Sequence, residues 1–295
     1  MNSHQNWSQS LMRWARTLCL MAVVSTLTAC ALTPQKEDGK RQSDALLQHQ
    51  LQQIESQWLQ TTADERRHVF LGSAQHSQSL VFQRDILSME KTLKNLQPKT
   101  VSILLSNQVQ TQKLEFPFAT TTNLTRIFDR LATWSHAQPM SLTVLVSTHG
   151  SPGVLSVNVG NQYHPPLRTA QLKTWLDHLH PRTQVTLLLS ACYSGSFVDA
   201  LQGPNRMILS ASAADRNSFG CTYHEKNTWF IGQLLGPHFA PQSTWDEVFT
   251  ATRAGVEAQE RALRMSPPSN PQIRSAESLR KMSLAQWFGK PANAP

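Results

Sequence analysis

From Arg67 onward the chain alternates short runs of apolar, β-prone residues with stretches whose apolar positions recur at helical spacing. The runs are His68–Leu71, Val101–Leu105, Leu142–Thr148, Val185–Ser190 and Met207–Ser210. Between them, Phe82, Ile86, Met89, Leu93 and Leu96 share one helical face. So do Leu124, Ile127, Phe128, Leu131 and Trp134, and then Leu172, Trp175, Leu176 and Leu179. Strands that are apolar throughout are buried on both faces, and helices between consecutive strands are the crossovers of a parallel sheet. The pattern predicts an α/β fold over residues 65–272: a three-layer α/β/α sandwich with a mostly parallel central sheet. Two further helices are expected at Thr228–Leu235 and Trp245–Leu263, the second opened by the capping box Thr244-Trp-Asp-Glu247. Val154–Val159 followed by Gly160-Asn161 has the character of a hairpin.

The flanks read differently. Ala31 to Asp64 is polar and Gln-rich, with a charged run from Lys36 to Arg41, and suggests a tether leading into a helix marked by Leu47, Leu51, Ile54 and Trp58. Beyond Ser266, the prolines at 267, 268 and 271 predict an extended strap, with the final twenty residues of the 273–295 tail loosely held.

Residues 1–29 have the three parts of an export signal. Arg13 and Arg16 give the positive region, and Leu18–Ala29 is an apolar stretch of 12 residues, short of the roughly 20 needed to span a bilayer. The sequence Leu27-Thr28-Ala29-Cys30 resembles the bacterial lipoprotein box. That resemblance implies cleavage before Cys30, lipidation of Cys30, and stable retention at a membrane surface through several acyl chains. Ala31 follows, where an Asp would signal retention at the inner membrane, so the expected location is the outer membrane of a bacterial envelope, facing the periplasm.

The chain carries 27 Lys and Arg against 19 Asp and Glu, and losing Arg13 and Arg16 with the signal lowers the formal charge from +8 to +6. The cations are scattered, so a generally basic soluble surface is expected and no nucleic-acid partner is assigned. Of four cysteines, Cys19 leaves with the signal and Cys30 takes lipid. Cys192 and Cys221 remain; in an exported protein they form either a disulfide or a pair containing one working thiol.

Functional groups in open parallel sheets gather beyond the carboxyl ends of the strands. The third run ends Ser147-Thr148-His149-Gly150 and the fourth ends Ser190-Ala191-Cys192-Tyr193-Ser194-Gly195. An imidazole and a thiol thus leave one sheet edge, 43 residues apart, about one strand–helix–strand unit. A thiol attacks a carbonyl as thiolate, which a neighbouring imidazole generates. The amides of Gly150 and Cys192 suit an oxyanion, and a short helix at Phe197–Leu201 is expected to aim its N-terminal amides at the sulfur. The chain has no Gly-x-Ser-x-Gly, P-loop, Gly-x-Gly-x-x-Gly, His-Glu-x-x-His or Cys-x-x-Cys, so no cofactor or metal is assigned.

The His-Gly and Ala-Cys pairs on this strand pattern resemble the legumain-like cysteine peptidases, exported bacterial members above all, and more distantly caspases and gingipains. Val69-Phe-Leu-Gly-Ser73, Gln83-Arg84-Asp85, Thr122-Asn123-Leu124 and the segment Ser212–Cys221 extend the likeness. It implies a caspase-like fold, Cys192 as nucleophile, His149 as general base, and an acyl-enzyme resolved by water or an amine. The substrate is then a protein or peptide. Where eukaryotic legumains carry Glu before Ala-Cys in their Asn-binding pocket, this chain has Ser190, and Arg84 does not align cleanly with the family's pocket arginine. Asp215, Arg216 and Ser218, with Ser190, are the substrate-binding candidates. The resemblance also admits transpeptidation or transamidation by the same pair, or an envelope lipoprotein using the fold for binding alone.

Overall fold

The computed structural model describes residues 33–59, 66–109 and 113–288. Residues 1–32, on which the expected signal segment and the expected lipidation of Cys30 fall, therefore lie outside the described part, as do residues 60–65, 110–112 and the last seven. Six strands form the main sheet: β1 (Arg67–Ala74), β2 (Val101–Ser106), β3 (Met140–Ser147), β7 (Gln184–Ser190), β8 (Arg206–Ser210) and β9 (Gln272–Arg274). Their order is β2-β1-β3-β7-β8-β9, parallel except for β9. The five runs read from the sequence are the five parallel strands. A second, antiparallel sheet is made by β4 (Gly150–Ser151), β5 (Val154–Val159) and β6 (Gln162–Arg168), which contains the expected hairpin.

Side-chain alternation divides the core in two. Val69, Leu71, Ile103, Leu105, Leu142, Val144, Val146, Leu187 and Leu189 face one helical layer. That layer is α1 (Thr33–Leu59), α3 (Thr121–Ala137) and α4 (Thr169–Asp177). Phe70, Leu104, Leu145, Leu188, Met207 and Leu209 face the other. It contains α2 (Val81–Leu96), α5 (Trp229–Leu234), α6 (Trp245–Ala262) and the short helices α7 (Glu277–Arg280) and α8 (Leu284–Phe288). The sandwich is thus three-layered, as expected. Gly72 sets the closeness of α2 to the sheet, since a Cβ there would stand 2.9 Å from Ile86 Cβ.

Both flanks are more ordered than their polarity suggested. The charged run Lys36–Arg41 is helical, within α1, and Leu47, Leu51 and Ile54 are buried against the domain. The Trp58 side chain lies outside the description. Gln50 closes the free edge of β2, its amide donating to the Leu104 carbonyl (3.2 Å) and accepting from the Leu104 N–H (3.3 Å). An open strand edge is a pairing hazard, and a covering helix removes it. At the other end, the expectation of a loose tail fails as far as Phe288, the last seven residues lying outside the description. β9 extends the sheet, and Leu284, Trp287 and Phe288 sit in the core, with Trp287 Nε1 donating to Thr186 Oγ1 at 2.7 Å. Three large apolar residues within five positions outweigh the ordering entropy of so short a segment.

Candidate active site

Strands β3 and β7 are neighbours, paired from Ser141↔Gln184 to Ser147↔Ser190, and the last rung is Thr148 N–H to the Ser190 carbonyl at 3.1 Å. His149 and Cys192 therefore each leave the sheet two residues past a matched pair, at one edge. Their strands keep the same phase, so both chains exit on equal footing. Gly150 then passes close against the Cys192 peptide: a Cβ at position 150 would lie 2.4 Å from the Cys192 carbonyl oxygen. Only glycine permits that approach.

The His149 ring packs edge-on against His76 (centroids 4.6 Å apart) and Phe82 (5.1 Å). Burial holds its pKa below the usual histidine value, so the ring is uncharged at neutral pH and able to accept a proton. His76 is nearly covered, and burial, followed by the proximity of His149, pushes its pKa down to about 4. His76 stands just beyond β1, which borders β3, so three consecutive strand ends contribute to this corner.

Around the sulfur, the Ser218 N–H donates to Cys192 Sγ at 3.3 Å, the Ser218 hydroxyl lies 3.7 Å away, and the thiol reaches the Ser218 carbonyl at 3.5 Å. The helix expected at Phe197–Leu201 is not formed. A 3-10 helix at Ser194–Phe197 takes its place: Tyr193 turns left-handed (φ 56°), the Ser196 N–H donates to the Tyr193 carbonyl and the Val198 N–H to the Gly195 carbonyl. Tyr193 is held there by its N–H on the Arg216 carbonyl (2.7 Å) and by Ser196, whose N–H and hydroxyl both meet the Tyr193 carbonyl. Cys192 and Cys221 are both free thiols. Burial first, and then the nearby Cys192, raises the Cys221 pKa, which disfavours its thiolate at neutral pH.

The substrate-binding candidates separate. Ser218 touches the sulfur. Asp215 and Arg216 pair with each other at 2.8 Å on the surface of the same loop, and Arg216 contributes its backbone to Tyr193. Ser190 is buried, and its hydroxyl meets Thr228 Oγ1 at 2.9 Å, beneath the site. Arg84 donates to the carbonyls of Tyr223 and Glu225.

Two groups close to this edge were given no role by the sequence: His76, and Asp85, which entered only as part of the Gln83-Arg84-Asp85 likeness. Asp85 had a visible signal, since it falls on the same helical face as Phe82, Ile86 and Met89, where a carboxylate has no ordinary place. Among the described residues no three His, Cys, Asp or Glu side chains converge as metal ligands. A concavity lined by Leu176, His180, Pro204 and Arg206 lies near the opposite strand ends and contains none of the groups above.

Residues 138–258 match the model of the Peptidase C13 family, the span that holds both His149 and Cys192. Among solved structures the chain is similar to caspase-1 from Spodoptera frugiperda, with a TM-score of 0.54 and 15% identity over 79% of this chain and 94% of that one. At that identity the likeness is one of fold. No curated protein sequence matches the chain. The expected likeness to legumain-like peptidases and to the caspase fold is thereby met, and a cysteine-peptidase type of function is supported at that level.

Proposed function

We propose that the protein is a cysteine-type endopeptidase held at the bacterial envelope by lipid on Cys30. Cys192 attacks the scissile carbonyl, His149 takes its proton and returns it to the leaving amine, and the Gly150 and Cys192 amides receive the oxyanion. The acyl-enzyme is then cleaved by water. The observation that carries this reading is the matched exit of His149 and Cys192 from adjacent parallel strands, with Gly150 pressed beneath the Cys192 carbonyl. An uncharged His149 and the Ser218 N–H at the sulfur are the two local features the chemistry needs.

The loop carrying Asp215, Arg216 and Ser218 forms one wall of the substrate cleft, and the β5–β6 hairpin after His149 forms the facing wall. The substrate is a protein or peptide accessible at the outer membrane.

A thiol-directed acyloxymethyl ketone or epoxide probe on a peptide scaffold tests the chemistry on the full chain. Labelling at Cys192 should vanish in Cys192→Ala and fall steeply in His149→Ala. Equal labelling of Cys221, or indifference to His149, overturns the reading. Cys30→Ala should move the protein from the membrane fraction to the soluble fraction, and unchanged fractionation refutes the anchor. A peptide substrate incubated with and without an amine acceptor separates hydrolysis from transamidation.

A further inference from the structure

Asp85 is fully buried in α2, among apolar neighbours, and has four hydrogen-bond donors around it. Oδ2 receives the Ser147 hydroxyl (2.7 Å) and the Thr228 hydroxyl (2.8 Å). Oδ1 receives the Thr228 N–H (3.0 Å) and Asn227 Nδ2 (3.1 Å). Thr228 in turn meets the Ser190 hydroxyl at 2.9 Å. Ser147 lies two residues before His149 and Ser190 two residues before Cys192. One carboxylate therefore grips β3 directly and β7 through a single hydroxyl.

The place of this grip matters. The backbone ladder between β3 and β7 ends at Thr148 N–H and the Ser190 carbonyl. Past that rung, backbone pairing between the two strands no longer fixes the separation of the chains that carry the imidazole and the thiol. A charged acceptor in a low-dielectric interior makes strong, directional bonds, and every member here is satisfied. Burial is nevertheless costly for the charge and pushes the carboxyl up to about 6, against the pull of the bonds from Ser147, Thr228 and Asn227. Apolar packing of α2 on the sheet would be cheaper, so a cost of this kind calls for a reason at the site.

We propose that Asp85 is a positioning residue for the dyad, a buried staple that sets His149 and Cys192 at working distance by binding Ser147 and, through Thr228, Ser190. The proposal rests on the cysteine-peptidase reading of His149 and Cys192. An asparagine at 85 would turn an N–H group toward donors, whereas the aspartate accepts from all four. Thr228→Val removes the bridging hydroxyl at constant shape, and Thr228→Ser retains it.

The test is the rate of iodoacetamide alkylation at Cys192 in the full chain, quantified by mass spectrometry of the Cys192 peptide so that Cys221 does not interfere. This reaction needs no peptide substrate. His149→Ala should slow it about tenfold or more, in line with loss of a general base. Asp85→Asn and Thr228→Val should each slow it by a comparable factor, and Thr228→Ser should stay within about twofold of the unmodified protein. In the His149→Ala background, Asp85→Asn and Thr228→Val should add nothing further, because a residue acting through the dyad has no route once the base is gone. Multiplying effects in that background, or an undiminished rate in Thr228→Val, overturns the staple while leaving the dyad intact. Indifference of the rate to His149→Ala overturns the dyad and the staple together. If Asp85→Asn does not fold, the paired Thr228 variants decide the question alone.

Discussion

The Cys192 carbonyl oxygen sits 2.4 Å from where a β-carbon on residue 150 would be, so Gly150 and the Cys192 peptide are in direct backbone contact. Gly150→Ala must push the two strand extensions apart. Overpacking of this kind costs about 1–3 kcal/mol. Misplacing reacting groups by about an ångström costs on the order of 100-fold in rate. The variant should therefore show a modest drop in the urea midpoint and a much larger drop in probe labelling of Cys192. Labelling within twofold of the unmodified protein would contradict the arrangement.

His149 is held below the ordinary histidine range by burial, with the His76 and Phe82 rings against it. The His149 ring consequently stays unprotonated to a lower pH than a free imidazole. Probe labelling followed from pH 4 to 8 should have its acid limb below about 6.5, the unperturbed histidine value. An acid limb above that value would be incompatible with a buried base.

Acid should destabilise the fold through its buried histidines. His68 lies between Thr100 Oγ1 and Thr143 Oγ1, each 2.9 Å away, and burial lowers it to about 3. The unfolded chain binds a proton near pH 6.5 that the folded chain refuses, so this contribution is complete above 6.5 and is lost as pH falls toward 3. At pH 4.5 the loss from His68 alone is about 2–3 kcal/mol. His76, lowered to about 4, acts in the same direction, whereas Asp85, raised to about 6, acts in the opposite one. Urea midpoints at pH 7 and 4.5 should differ less in His68→Gln than in the unmodified protein.

Gln50 occupies the place of a neighbouring strand at Leu104, which is only 7% exposed. Gln50→Ala leaves a covered N–H and carbonyl without partners, at a cost of about 1–3 kcal/mol. It also loosens the cover on the β2 edge. Denaturant unfolding should register the first effect and light scattering on storage the second; a stability within 0.5 kcal/mol, roughly the scale of ordinary surface substitutions, would show the bonds to be idle.

Much of this protein was written locally. Apolar runs of strand length, separated by helical periods, are local properties of the chain, and they determined five strands, their parallel sense and the layers around them. The His-Gly and Ala-Cys sequences at the ends of two such runs marked one edge of the sheet, since consecutive parallel strands present their carboxyl ends together. The capping box at Thr244 and Glu247 was equally legible, because both partners lie within one turn. What the tertiary structure alone decided are the contacts between residues far apart in the chain. Asp85 meets Thr228 across 143 positions, Gln50 meets Leu104 across 54, and Trp287 meets Thr186 across 101. A polar residue facing a core leaves a trace in the sequence, as Asp85 does, but its partner is chosen by strand order and helix placement, which no short window of residues contains.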